Sequence, residues 1–190
     1  MKALLVASSI VLLLASCASP QQTQINFIPM PAMSYSRLVD NRNFTIISRD
    51  MRSAQYVALV DSGRQNIKPV HAAQNVSITL ENALLEQLQS QGYRSTVTSV
   101  NSIELEVQEA LVSVKHSALK NEMDSKVVVK VTAETPRGKL VKTYTGTAKR
   151  SGLLSASMQN IEQVLNDTTN LVLKEISTDR ELKNYMKEHF

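Results

Sequence analysis

The sequence predicts an α+β fold, an α/β domain of two layers. A mainly antiparallel sheet of about five strands carries two longer helices on one face and a short C-terminal helix. Three observations point there. Between Ile103 and Lys149, three runs alternate apolar and polar residues and are separated by turn residues. Leu80, Leu84 and Leu88 recur at helical spacing, and so do Ile161, Leu165, Val172 and Ile176. The length suits one domain with a sizeable core.

The chain opens on a targeting segment. Met1 and Lys2 give a basic start, and Ala3 to Ala15 is apolar apart from Ser8 and Ser9. That run makes ~20 Å of helix, short of the ~30 Å hydrocarbon core, so residues 1–16 read as a cleaved signal peptide. It closes on Leu14-Ala15-Ser16-Cys17, with the one cysteine of the chain last. These residues look like the bacterial lipobox. By that resemblance, cleavage falls between Ser16 and Cys17, and Cys17 carries a diacylglyceryl thioether and an N-acyl chain. Several buried acyl chains hold a protein at a membrane essentially permanently. Ala18 and Ser19 lack the aspartate that commonly retains Gram-negative lipoproteins in the inner membrane. The implied address is the outer membrane, on its periplasmic face.

Removing residues 1–16 from 190 leaves 174: a lipidated N-terminus and polar tether at 17–24, then one domain at 25–190. The formal charge of +4 falls to +3 without Lys2, and basic residues are scattered among few aromatics. No nucleic-acid footprint results. With no cysteine beyond Cys17, no disulfide supports the fold.

Ile25 to Ile28 reads as a first strand ended by Pro29 and Pro31, and Met33 to Asn43 as irregular. Phe44 to Ile47 is a second strand. In Arg49-Asp50-Met51-Arg52, the aspartate between two arginines reads as a local ion pair fixing a loop rather than an anion site. Tyr56 to Val60 is a third strand, and Ile67 to Asn75, with Pro69 and His71, a connecting segment. A helix with Ser77 or Thr79 as cap then runs to Gly92, where a left-handed residue ends it. Tyr93 leads into Arg94 to Val97, a short strand.

Ile103, Leu105 and Val107 face one side, but the apolar phase then shifts to Val112 and Val114. A β-bulge near Glu109-Ala110 explains the slip. His116 to Asp124 joins this strand to Lys126–Ala133. The turn Thr135-Pro136-Arg137-Gly138 leads to Leu140–Lys149, completing a meander. A helix of about five turns follows from Met158 to Ile176, with Val164 and Leu171 beside its stripe. Thr178-Asp179-Arg180-Glu181 fits a capping box that starts a last helix at Thr178. Leu182, Tyr185, Met186 and His189 make its apolar side, and its mixed charges favour packing on its own domain.

Catalytic signatures are missing. His71, His116 and His189 have no metal-ligand spacing, Gly152 belongs to no nucleophile elbow, and no glycine-rich loop cradles phosphate. Glu104 and Glu106 share a strand face, which alternation explains as the solvent side. No cofactor, no metal and no catalytic residue is expected.

The arrangement resembles the YajG family of uncharacterised bacterial lipoproteins. The resemblance rests on Leu14-Ala15-Ser16-Cys17, the Asn75–Tyr93 helix ending Gln91-Gly92-Tyr93, the Val127–Tyr144 hairpin, and Ser155-Ala156-Ser157 leading into Asn160-Ile161. It implies a lipid-anchored envelope protein and brings no catalytic residue with it. The expected function is a non-enzymatic binding or accessory module, bound to the membrane through its lipid and meeting an envelope protein partner by edge strands or open sheet face. The alternatives are an auxiliary lipoprotein of an envelope lipid or lipopolysaccharide transport system, and a cell-wall-acting enzyme.

Overall fold

The computed structural model describes residues 24–63 and 66–190. Ser16, Cys17, the signal segment and the tether up to residue 23 lie outside the described residues. In chain order the elements are β1 Gln24–Ile25, β2 Arg42–Asp50, β3 Tyr56–Asp61, β4 Ile67–Ala72, α1 Val76–Ser90 and β5 Tyr93–Ser95. Then come β6 Ser102–His116, β7 Lys120–Thr135, β8 Gly138–Leu153, α2 Met158–Thr178 and α3 Arg180–His189.

The sheet has eight strands and is mixed, not an antiparallel sheet of about five. β6 is its centre. Along one edge it pairs antiparallel with β7, which pairs antiparallel with β8. Along the other edge two strands share it, both parallel. β2 takes the first half, from Thr45↔Ser102 to Asp50↔Val107, and β3 the second, from Ala58↔Val112 to Asp61↔Lys115. The register shift between Val107 and Glu109 is the expected bulge. It keeps Ile103, Leu105 and Val107, then Ala110, Val112 and Val114, on one buried face. That face carries the helices: α1 against β2, β5 and β6, and α2 against β6, β7 and β8.

Several local expectations are corrected. Ile67–Ala72 is a strand, antiparallel to β3 and parallel to β1. Among the described residues β1 pairs only with His71 and Ala72, so no described strand needs the amide that Pro69 lacks on that side. Of the expected first strand, Ile25 to Ile28, only Ile25 joins the ladder, together with Gln24 before it. His116–Asp124 is mostly strand: β6 ends at His116 and β7 starts at Lys120, and the polar residues around Met123 concealed the alternation. The cap of α1 is Asn75, whose Oδ1 accepts from the Ile78 amide at 3.1 Å, while Ser77 lies inside the helix. The cap of α3 is Asp179, which accepts from the amides of Glu181 and Leu182 at 2.8 and 3.0 Å. Thr178 instead bonds back to the Lys174 carbonyl at 3.0 Å, so no Thr178 capping box forms. Leu171 is half exposed rather than part of the buried stripe.

The segment after β1 is an extended strap held by helix side chains. The amides of Asn26, Ile28 and Met30 donate to Glu162 Oε2, Asn166 Oδ1 and Asn170 Oδ1 at 2.9, 2.9 and 2.7 Å. Asn166 Nδ2 returns a bond to the Asn26 carbonyl at 3.1 Å. The spacings match: four helical residues advance ~6.0 Å and two extended residues ~6.6 Å. Further along, Ala32 and Ser34 donate to Gln87 and Ser90 of α1. Ile25 and Phe27 meanwhile point into the core. Asn166→Ala is expected to cost ~1 kcal/mol and to speed amide exchange at Ile28 several-fold without loosening β6 and β7. Unchanged exchange at Ile28 would show that the ladder does not hold the strap.

Candidate interaction surface

The helix-free face of the sheet is built by the outward positions of β6, β7 and β8. Its charges pair across strands: Arg49 with Glu104, Glu106 with Lys130 at 2.7 Å, Glu109 with Lys126 at 2.7 Å, and Asp124 with Lys149 at 3.2 Å. Glu104 and Glu106 are therefore members of a solvated, charge-balanced face, as alternation predicts. On β8, Thr143, Thr145 and Thr147 form an exposed column beside Val141. Among the described strands β8 pairs only with β7, so one edge of this 16-residue strand is unpaired. A depression of about 290 Å³ opens on this face among Glu109, Leu111, Lys126 and Thr147. Open backbone groups, hydroxyls and a shallow hollow suit contact with another chain by strand addition or face packing.

A second hollow, of about 200 Å³, lies where the bulge at Gln108–Leu111 faces Arg52, Ser53 and Tyr56. Its guanidinium is already engaged. Arg52 Nε and Nη2 donate to the two carboxylate oxygens of Asp50 at 2.9 and 2.7 Å, and the Arg52 side chain is only 5% exposed. The arginine's hydrogen bonds hold the Asp50 carboxyl below its usual range. Asp50 and Arg52 thus fix the loop between β2 and β3, as expected, while Arg49 turns to Glu104.

The junction of α2 and α3 is pinned to β8. The buried Tyr144 hydroxyl donates to Asp179 Oδ2 at 3.0 Å, and Lys142 Nζ reaches Asp179 at 3.2 Å and Glu181 at 2.7 Å. Burial opposes ionisation of Asp179. The Leu182 amide, Lys142 and Tyr144 outweigh it, and the carboxyl titrates below its usual range. Burial, then the Asp179 charge, raises the Tyr144 phenol. Each charge answers to a neighbour within the fold, so this cluster is a clamp. Leu182 and Met186 are buried, which docks α3 on its own domain.

Tyr93 sits edge-on to Phe44 and Phe190, at ring separations of 6.3 and 6.4 Å. Its hydroxyl is buried with no hydrogen-bond partner among the described residues, and burial pushes the phenol up to about 12. An unfolded phenol ionises near ~10. The stability linked to Tyr93 is therefore complete below about pH 10 and is lost as pH rises toward about 12. Tyr93→Phe is expected to move the midpoint of alkaline unfolding upward. An unmoved midpoint would refute the assignment.

The three histidines stay apart. His71 lies on β4 and His189 at the end of α3, while His116 Nε2 accepts from the Ala156 amide at 3.1 Å. Among the described residues no group of three or more His, Cys, Asp or Glu side chains is placed to hold a metal ion. No described helix is long and apolar enough to cross a membrane. Gly152 packs against Asn121. Sequence reasoning missed the strap, the Tyr144–Asp179 clamp and the unpaired β8 edge. The recurrence of Glu162, Asn166 and Asn170 on one helix face was the one signal of the strap available in the chain.

A family model described as uncharacterized lipoprotein, Lipoprotein_16, matches residues 29–187. A search of the curated proteins finds no match. Among solved structures, a protein from Xanthomonas campestris superposes with a TM-score of 0.53 at 10% identity, covering 85% of this chain and 98% of that one. That likeness shows a shared fold. A homolog of a neuraminyllactose-binding hemagglutinin from Helicobacter pylori gives 0.49 at 10% identity, covering 87% and 97%. A minor lipoprotein from Acinetobacter baumannii gives 0.41 at 18% identity, covering 73% and 94%.

Proposed function

Since this chain belongs to the uncharacterized lipoprotein family, we propose that it is anchored by acyl chains on Cys17 to the inner leaflet of the outer membrane. There it serves as a non-enzymatic accessory protein. Its helix-free sheet face and the β8 edge meet an envelope protein. The observation that carries this reading is the family match over residues 29–187. The lone cysteine after a short apolar run, seven residues ahead of Gln24, supports the anchor.

Two measurements test it. An alkyne fatty acid fed to cells is expected to label the wild type and not Cys17→Ala, which leaves the membrane fraction. Label retained on Cys17→Ala, or wild type sedimenting with the inner membrane, would sink the anchoring or its address. A photo-crosslinking residue at Thr145 is expected to capture one envelope protein, and the same residue at exposed Lys174 on α2 none. Equal capture from both would remove the sheet face from the reading. Capture of an inner-membrane transporter would recast the role as an auxiliary subunit of lipid transport. Hydrolysis of peptidoglycan by the purified protein would replace the accessory role with an enzymatic one.

A further inference from the structure

Three turns gather at one end of the sheet. Asp61 at the end of β3 lies opposite both Ile67 of β4 and Lys115 of β6. β6 passes into β7 through Ser117–Leu119, and β8 ends with Leu153 opposite Lys120. This rim exposes four large apolar side chains: Ile67 at 56%, Leu119 at 76%, Leu153 at 85% and Leu154 at 70%. Single exposed apolar side chains are ordinary, but four on one rim are not.

The rim is also held in place. Leu154 has φ +60°, a left-handed conformation uncommon for leucine. Its amide donates to the Leu119 carbonyl at 3.1 Å, and its carbonyl accepts from Asn121 Nδ2 at 2.9 Å. Ala156 is tied to His116 as described. The fold thus spends two polar side chains on a strained turn that turns leucines to solvent. Lys68, Lys115 and Lys120 stand around them, against Asp61 and Glu122.

The first described strand points away from this end. β1 runs parallel to β4, heading away from Ile67, and the strap follows α2 from Glu162 toward Asn170. Gln24 is level with His71, four residues from Ile67, or ~13 Å along a strand. From Cys17 to Gln24, seven residues span at most ~24 Å. Seven residues are therefore long enough for an anchor on Cys17 to lie level with the rim. To reach the opposite turn at Thr135–Gly138, the chain would have to reverse its direction.

We propose that this leucine rim, Ile67, Leu119, Leu153 and Leu154, rests on the phospholipid surface that holds the anchor. It fixes the orientation of the domain, with the far end of the sheet directed away from the membrane. The proposal rests on the anchoring reading, and its test separates the two. The chain contains no tryptophan, so single tryptophans report cleanly. Leu154→Trp, Leu119→Trp and, at the far end of β8, Val141→Trp would be purified as the lipidated protein. Each would be placed in vesicles of three parts phosphatidylethanolamine to one part phosphatidylglycerol with brominated acyl chains. Circular dichroism verifies folding, and Leu119→Trp serves if the strained site rejects the larger ring. Quenching is expected to be several-fold stronger at Leu154→Trp and Leu119→Trp than at Val141→Trp. Equal quenching at all three overturns the docking. So does absence of quenching at both rim sites while the intact mass shows acyl chains on Cys17, and the anchor then stands. An intact mass without acyl chains overturns the anchor, and the docking falls with it.

Discussion

Gly92→Ala is expected to destabilise the protein by roughly 3–5 kcal/mol, combining a backbone conformation hostile to side chains with a collision against main chain. Gly92 follows the Gln91 cap of α1 with φ +99°. A Cβ there would collide with the Val39 carbonyl oxygen and stand 3.1 Å from its carbon. Those atoms cannot swing aside as a side-chain end would. The Leu38 and Val39 amides both donate to the Gln91 carbonyl, at 2.8 and 3.3 Å, closing the strap over the end of α1. Relief of the clash must break that closure or move β5, which brings Tyr93 into the aromatic cluster. Domains of this size hold only about 5–15 kcal/mol in total. The urea midpoint should fall by roughly a fifth or more with an unchanged slope, and a midpoint within error of wild type would refute the account.

Gly146→Val is expected to cost about 2–4 kcal/mol for a different reason, the loss of space between α2 and β8. Gly146 pairs with Val127 and faces the helix. A Cβ there would meet the Thr168 carbonyl oxygen at 2.7 Å and Val172 Cγ2 at 2.8 Å. The helix comes this close because its buried threonines satisfy themselves. Thr168 and Thr169 hydroxyls donate to the Val164 and Leu165 carbonyls at 2.7 and 2.9 Å. Branching at Gly146 would lift α2 off β8 and weaken the Tyr144–Asp179 bond beyond it. Loss of stability should therefore come with greater exposure of Tyr144, read by second-derivative absorbance. A destabilised variant whose Tyr144 remains buried would mean that β8 yields instead of α2.

Gly92 and Gly146 divide what a chain discloses from what it does not. Gly92 ends a stripe of Leu80, Leu84 and Leu88, so its role in stopping α1 is local and legible. That Val39 lies against it is not, since the two are brought together by the strap. Gly146 carries no local signal, because its reason is Thr168 and Val172, more than twenty residues later. The same division runs through the sheet. The bulge near Glu109 is visible as a phase slip within one strand. The sharing of β6 by β2 and β3 is invisible, because nothing in Ala58 names Val112 as its neighbour. Among possible interaction sites, the polar alternation of Glu104 and Glu106 is legible as a solvated face. The unpaired edge of β8 depends on which strands stop short of it.

The sequence alone determined the helical stripes, the three-strand meander with its bulge, and the turn at Pro136-Arg137-Gly138. These follow from periodicities and backbone preferences that act over a few residues. Only the tertiary structure decided the eight-stranded mixed sheet, the caps at Asn75 and Asp179, and the clamping of the strap by Glu162, Asn166 and Asn170. The strap's bonds join residues 136 to 140 positions apart. Such contacts are chosen by the packing of completed elements, after loop closure has been overcome, and no window of sequence contains both partners.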